Sequence, residues 1–222
     1  MNIIFIPYRD REKHLDYFVN NLAPRLNEYI NSLKIVIVEQ GNDKKFNRGK
    51  LLNVGFMEYK KQIGYLYQHD IDVIPSDETI KKIYTLETGE IIRISAPHAT
   101  SLGCIVKMSK DNFIKMNGYP NNIWGWGIED RALFCRALLS DLKLSKNFCN
   151  EAFKKLPHKS NVEVYKNEKK IISDIWLPNN IDKMTELERI NLVNNDGLNN
   201  TEYTLLKREI INDYIEKIIV EI

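Results

Sequence analysis

The chain has 222 residues, 43% of them hydrophobic and 28% charged, with a formal net charge of +2. That balance belongs to a globular chain rather than a disordered one, and so small a charge supplies no field to gather nucleic acid. No run approaches the ~20 apolar residues of a membrane span, and residues 3–6, stopped by Pro7 and Arg9, are too short for the ~7–15 apolar residues of a secretory signal. In chain order, residues 2–7 (NIIFIP) predict a buried strand, and residues 10–30 a helix with Leu15, Phe18, Val19 and Leu22 at helical spacing and Asp10 as its cap. Residues 34–40 (KIVIVEQ) predict a second strand, 48–62 a helix carrying Leu51, Val54, Phe56 and Tyr59, and 65–75 (YLYQHDIDVIP) a third strand running into acids. Strand, helix, strand, helix, strand with short connections predicts an α/β fold with a parallel sheet and right-handed crossovers.

Beyond Pro75 the order is less regular. Residues 90–96 and 103–109 read as strands, 109–118 as a short helix ending at Gly118, and 129–144 as a longer helix with Ile128, Ala132, Cys135, Leu139 and Leu142 as its buried stripe. Residues 156–196 are polar, proline-marked and weakly periodic, too long for a simple loop, and are expected to form a lid or mobile segment. The terminal YIEKIIVEI reads as a strand or a helix end, its apolar run favouring strand. The three cysteines, Cys104, Cys135 and Cys149, fit no CxxC spacing and are expected to be reduced and buried, in a cytoplasmic protein.

Ligands of open parallel sheets bind beyond the C-terminal strand ends. The first strand leads into Arg9 and Arg11, the second into Phe46, Arg48 and Lys50, and the third into Asp70 and Asp72. Arginines suit phosphate oxygens, an aromatic ring can stack on a base, and paired aspartates suit a hard cation. Taken singly, each is also what a surface ion pair, a turn or a core aromatic looks like; their convergence on one sheet edge describes a nucleotide diphosphate with a divalent metal. In NNIWGWGIEDRAL, Gly125 and Gly127 free the backbone around Trp126. Glu129 and Asp130 then open a helix whose dipole favours their ionised form, a capped helix with core tryptophans being the plainer reading.

The stretches FIPYRDREKHLDYF, FNRGKLLNVGF, HDIDVIP, NGYPNNIWGWGIEDRAL, PHKS and NDGLNNTEYTLL, in that order and across nearly the whole chain, resemble the β-1,4-galactosyltransferase family, inverting transferases of the GT-A fold. The animal enzymes add a membrane anchor and stem, so this chain is expected to be one catalytic domain, 1–222. Residues 1–75 would form its nucleotide-binding half, 76–222 its acceptor-side half, and about 157–190 its lid. The resemblance implies that Pro7, Arg9, Arg11, Phe46, Arg48 and Asp70 hold the uridine diphosphate donor, that Trp126 closes over it, and that Asp72 and His158 ligate Mn²⁺, or Mg²⁺ in its place. It implies that Glu129 binds hydroxyls of the transferred sugar and that Asp130 is the catalytic base, with Gly127 and Arg131 on the acceptor side. Galactose or N-acetylgalactosamine would then move from a UDP-sugar to a saccharide or glycoconjugate hydroxyl, in a β-1,4-type linkage. A lipid-linked acceptor would bring the lysine-rich lid to a membrane surface.

Departures from the family pattern bear on specificity. Lys155 stands where the Golgi enzymes place a metal-binding methionine, and Arg131 where a third acid is usual. Ser101 aligns with a bulky tyrosine beside the donor sugar, leaving room for an N-acetyl group, and Tyr65 and Tyr84 take the places of a disulfide. The alternatives are a transferase using another UDP-sugar, or a non-catalytic sugar- or nucleotide-binding module of a larger glycan-building complex.

Overall fold

The computed structural model describes residues 1–125, 127–148, 153–157 and 170–222. Eight strands form one twisted sheet: β1 (Asn2–Tyr8), β2 (Leu33–Gln40), β3 (Tyr65–His69), β5 (Ile91–Ser95), β6 (Ile105–Ser109), β7 (Leu144–Asn147), β9 (Thr204–Asn212) and β10 (Ile215–Glu221). Their order is β7-β5-β6-β3-β1-β2-β10-β9, while β4 (Val73–Pro75) and β8 (Phe153–Lys155) make a separate two-stranded ribbon. The β3-β1-β2-β10 block is parallel, whereas β6 runs antiparallel to β3 and β5, and β9 antiparallel to β10.

The sheet is central because its strands are apolar on both faces. Ile3, Phe5, Val36 and Val38 feed one core, and Ile4, Ile6, Ile35 and Ile37 the other, the two-residue alternation of a strand read twice. The first core is covered by α3 (Arg48–Tyr59), α5 (Lys110–Lys115) and α6 (Glu129–Leu139), and the second by α1 (Glu12–Tyr17) and α2 (Ala23–Tyr29), while a single turn, α4 (Asp77–Thr79), follows β4. Between α1 and α2 a π turn, Phe18–Leu22, widens the helix just ahead of Pro24. Proline has no N–H to give and crowds the preceding turn, so a wider register is the local solution.

Two expectations are corrected. Arg11, not Asp10, is the N-cap of α1, and Asp10 lies in the left-handed region at φ 52° with no capping bond. The third strand stops at His69, because residues 70–72 turn through a Val73 N–H to Asp70 O bond of 3.2 Å. Its continuation, β4, therefore leaves the main sheet to pair with β8. The weakly periodic stretch contains α7 (Lys170–Ile175), α8 (Pro178–Ile181) and α9 (Glu186–Asn194), the last closed by a Thr185–Glu188 capping box. The C-terminal strand forms as its apolar run favours, with an unforeseen partner, β9. Among the described residues no helix is long and apolar enough to cross a membrane.

Candidate active site

The C-terminal ends of β1, β2 and β3 lie side by side, and each delivers one of the clusters singled out above. Pro7 is buried in β1 opposite Val38, and Arg9 and Arg11 follow where that strand gives way to α1. The loop after β2 is organised by Gln40, whose amide nitrogen donates to Asn42 Oδ1 at 2.9 Å, Lys44 O at 3.1 Å and Lys45 O at 3.2 Å, and whose oxygen accepts from Asn47 N–H. Asn47 in turn caps α3 by accepting from Lys50 N–H. This frame presents Phe46 and Arg48 at the sheet edge. Arg9 donates to Lys44 O at 2.6 Å and lies over the Phe46 ring, 5.4 Å from its centroid. The two residues expected at the donor thus form one stacked wall.

Arg48 is the hub of the site. Its Nε and Nη2 reach Asp70 Oδ1 at 2.9 and 2.8 Å, and its Nη1 reaches Asp130 Oδ1 at 2.7 Å. A carboxylate from a strand end and one from the first turn of α6 therefore share a single guanidinium. Burial by itself would lower the Arg48 pKa, but Asp130 and Asp70 hold it above its ordinary value. Burial pushes Asp130 well up; Arg48 opposes that shift, and Glu129 and Asp70 add to it.

Behind Arg48 a chain of polar contacts returns to Asp130. Tyr119 Oη lies 3.4 Å from Arg48 Nη1 and donates to Gln68 Oε1; Gln68 Nε2 donates to Leu102 O, and Leu102 N–H donates to Asp130 O at 2.9 Å. Next along the chain, Gly103 leaves the space that the Asp130 carboxylate occupies: an added Cβ would stand 2.7 Å from Asp130 Cγ. Gln40, Gln68, Gly103 and Tyr119 escaped the sequence reading. The available signal was the polar Gln68 inside the apolar YLYQH, since a buried amide needs partners.

Around the tryptophan loop, Gly125 and Gly127 both take left-handed conformations, at φ 74° and 89°, and Gly125 N–H bonds Phe46 O at 2.7 Å. Trp126 itself lies outside the described residues. Ile128, a β-branched residue, is forced to φ 83°, strain of the kind that accompanies functional turns. Glu129, 7% exposed, and Asp130 follow at the positive end of α6. Arg131 Nη2 donates to Ser173 Oγ at 2.6 Å and Ser173 O at 3.1 Å, tying α6 to α7. Ser101 is buried, and its hydroxyl donates to His98 O at 3.1 Å, two residues before Gly103.

Asp72 is buried, and its carbonyl accepts from Leu156 N–H at 2.8 Å, so the β4–β8 ribbon holds residues 153–157 against the aspartate turn. His158 lies outside the described residues. Lys155 pairs with Val73, one position from Asp72. His69 turns away from the acids into the core: its Nδ1 lies 2.9 Å from Asp70 O and its Nε2 3.0 Å from Tyr84 Oη. Trp176 is likewise a core residue, 5% exposed and stacked against Arg136. Among the described residues no group of three or more His, Cys, Asp or Glu is placed to hold a metal.

A mixed, mostly parallel sheet between two helical layers, with carboxylates and arginines at its C-terminal edge, defines a GT-A-type glycosyltransferase fold. The catalytic domain of Drosophila β-1,4-galactosyltransferase 7 in complex with xylobiose superposes with a TM-score of 0.77 at 21% identity, covering 99% of this chain and 93% of that one. A mutant of that fly enzyme complexed with manganese, UDP-Gal and xylobiose gives 0.74 at 22% identity over 99% and 93% of the two chains. A mannosyltransferase of Pyrobaculum calidifontis gives 0.51 at 10% identity over 67% and 55%. In sequence, residues 1–86 match the N-terminal region of glycosyl transferase group 7, and residues 89–159 the N-terminal domain of galactosyltransferase. Mouse β-1,4-galactosyltransferase 4 is 37% identical over 157 residues, which are 64% of this chain and 44% of that protein. Human β-1,4-galactosyltransferase 1 is 34% identical over 151 residues, 64% and 38% of the two. The chain belongs to the β-1,4-galactosyltransferase family, glycosyltransferase group 7. It aligns with less than half the length of these two curated relatives.

Proposed function

We propose that this protein transfers galactose or N-acetylgalactosamine from a UDP donor to a saccharide hydroxyl, inverting the anomeric centre, in a β-1,4-type linkage. The observation that carries the reading is the Arg48 bridge between Asp70 and Asp130. It joins a diphosphate-side acid to the acid beside the tryptophan loop in one cleft. A diphosphate competes for the same guanidinium. As Arg48 turns toward phosphate oxygens, Asp130 loses its counter-charge inside a buried site and becomes a stronger base. Asp130 then takes the acceptor proton as that oxygen attacks the anomeric carbon. Arg9, Arg11 and Phe46 hold the nucleotide, Glu129 the hydroxyls of the donor sugar, and Trp126 with residues of about 157–190 excludes water. In this reading residues 1–75 are the nucleotide half and 76–222 the acceptor half.

The carboxylates of Asp70 and Asp72 are hard oxygen donors that suit Mn²⁺ or Mg²⁺, and the ribbon holding residues 153–157 at Asp72 carries the chain toward His158. When bound, the cation would offset charge on the departing diphosphate. Lys155 weakens its hold. Full turnover in excess chelator would remove the metal from this reading.

Incubation with Mn²⁺ and a panel of UDP-sugars, with and without candidate saccharides, reads the donor and acceptor through released UDP. Asp130→Asn should keep UDP-sugar binding and lose turnover; wild-type protein that binds and never turns over would be the non-catalytic module instead. Strict preference for galactose would reject the roomy pocket argued from Ser101. N-acetylglucosamine is not a privileged acceptor in this reading, because Arg131 stands where the family usually has a third acid on the acceptor side. Cys104 and Cys135 are buried free thiols, kept protonated by burial, which supports a reducing, cytoplasmic setting.

A further inference from the structure

Among the described residues, β9 closes the sheet with β10 on one side and no strand on the other. Edge strands in soluble proteins are commonly short or covered; this one runs for nine residues. It exposes Leu205, Leu206, Ile210 and Ile211 at 36, 53, 81 and 40%. Its sequence, Leu-Leu-Lys-Arg-Glu-Ile-Ile, is complementary to itself when reversed. Laid antiparallel on a second copy about Arg208, it sets Leu206 against the partner's Ile210 and Lys207 against the partner's Glu209, each contact made twice. Only Arg208 meets its like, and that charge is already matched by Glu58 and by Glu216 at 3.0 Å. Shifted by two residues, the pairing would set Lys207 against the partner's Lys207 or Glu209 against the partner's Glu209, which costs stability. Register irregularities near Leu206 and Ile211 bracket the stretch and limit how far it can slide.

We propose that a second copy of this chain pairs with β9 in that register, joining two sheets into one sixteen-stranded sheet with two-fold symmetry. The axis stands perpendicular to the sheet, midway between the two β9 strands at Arg208, so the two catalytic clefts open at opposite edges and neither obstructs the other.

Sedimentation equilibrium of the full chain should show a concentration-dependent dimer. Ile210→Lys, at a position 81% exposed and so harmless to the protomer, should weaken the dimer at least about tenfold while leaving the melting temperature unchanged at concentrations low enough for both proteins to be monomeric. Register is read separately. The double variant Leu206→Cys with Ile210→Cys should form a covalent dimer on mild oxidation, whereas Leu206→Cys alone should not, its two copies lying roughly 13 Å apart along the strands. A monomer at every concentration, a dimer indifferent to Ile210→Lys, or equal cross-linking by the single and double cysteine variants would each overturn the proposal.

Discussion

A methyl group at Gly103 would lie 2.7 Å from Asp130 Cγ and 3.3 Å from its Cβ, inside contact distance. The backbone beneath it cannot retreat freely, since Leu102 N–H is bonded to Asp130 O at 2.9 Å. Gly103→Ala must therefore turn the carboxylate away from Arg48. We expect kcat to fall by on the order of 100-fold, as for other small misplacements of a reacting group. The KM for the donor should hold, because Arg9 and Phe46 are untouched; wild-type kcat in this variant would remove Gly103 from the machinery. The raised pKa of Asp130 has its own signature. The group must be ionised to accept a proton, so kcat/KM should fall as pH drops through a value above the ordinary carboxylate range. An acid limb near pH 4 would contradict it. At this scale the sequence was informative wherever a side chain directly follows a strand, as Arg9 and Asp70 do, or opens the helix after one, as Arg48 does. Gly103, Gln68 and Tyr119 were hidden because their importance comes from what stands across the cleft, and nothing in their own neighbourhoods states it.

Between elements, Arg136 joins α6 to the turn at Asn117 and Gly118 and to the end of α9. Its guanidinium is fully buried and donates to Asn117 O and Gly118 O at 3.1 Å each, to Leu192 O at 3.3 Å and to Asp196 O. Burial lowers its pKa to about 10, a shift that still leaves it charged at neutral pH. Arg136→Met keeps the stem and the helix propensity but leaves those four carbonyls without this donor. Urea unfolding should show a loss of roughly 3 kcal/mol, and a change below about 0.5 kcal/mol would mean that other groups satisfy them. Elements with strong periodicity, β1, β2, α3 and α6, were legible because burial on a fixed face writes itself into spacing. α7 and α8 were not, being only six and four residues long, too short to display a period. β9 was missed for a different reason: its apolar residues face outward, so the usual link between hydrophobicity and burial fails there.

For the molecule as a whole, His69 ties stability to pH. It is buried with both ring nitrogens engaged, and burial lowers its pKa to about 4. Unfolding restores a value near 6.5, so below that pH the unfolded chain binds the extra proton. The stabilisation is complete above about pH 6.5 and is lost as pH falls toward 4, roughly 3 kcal/mol across the window. Urea titrations at several pH values should show this slope in the wild-type protein and a flatter one in His69→Gln, a comparison in which the carboxylates largely cancel. Equal slopes would mean that His69 titrates normally in the fold.

The sequence by itself determined the class of this protein. Apolar runs set the central strands, and the order in which chemistry-bearing residues follow those strands placed Arg9, Arg48 and Asp70 on one edge, because a parallel sheet brings its strand ends together whatever the intervening lengths; Asp130, in the first turn of α6, was placed with them only by the family resemblance. Only the tertiary structure decided that one guanidinium spans two acids, that the aspartate turn leaves the sheet for a ribbon, and that the last strand stands uncovered. Those outcomes depend on contacts between residues far apart in the chain, and a one-dimensional pattern records the burial of each residue more directly than the identity of its neighbour.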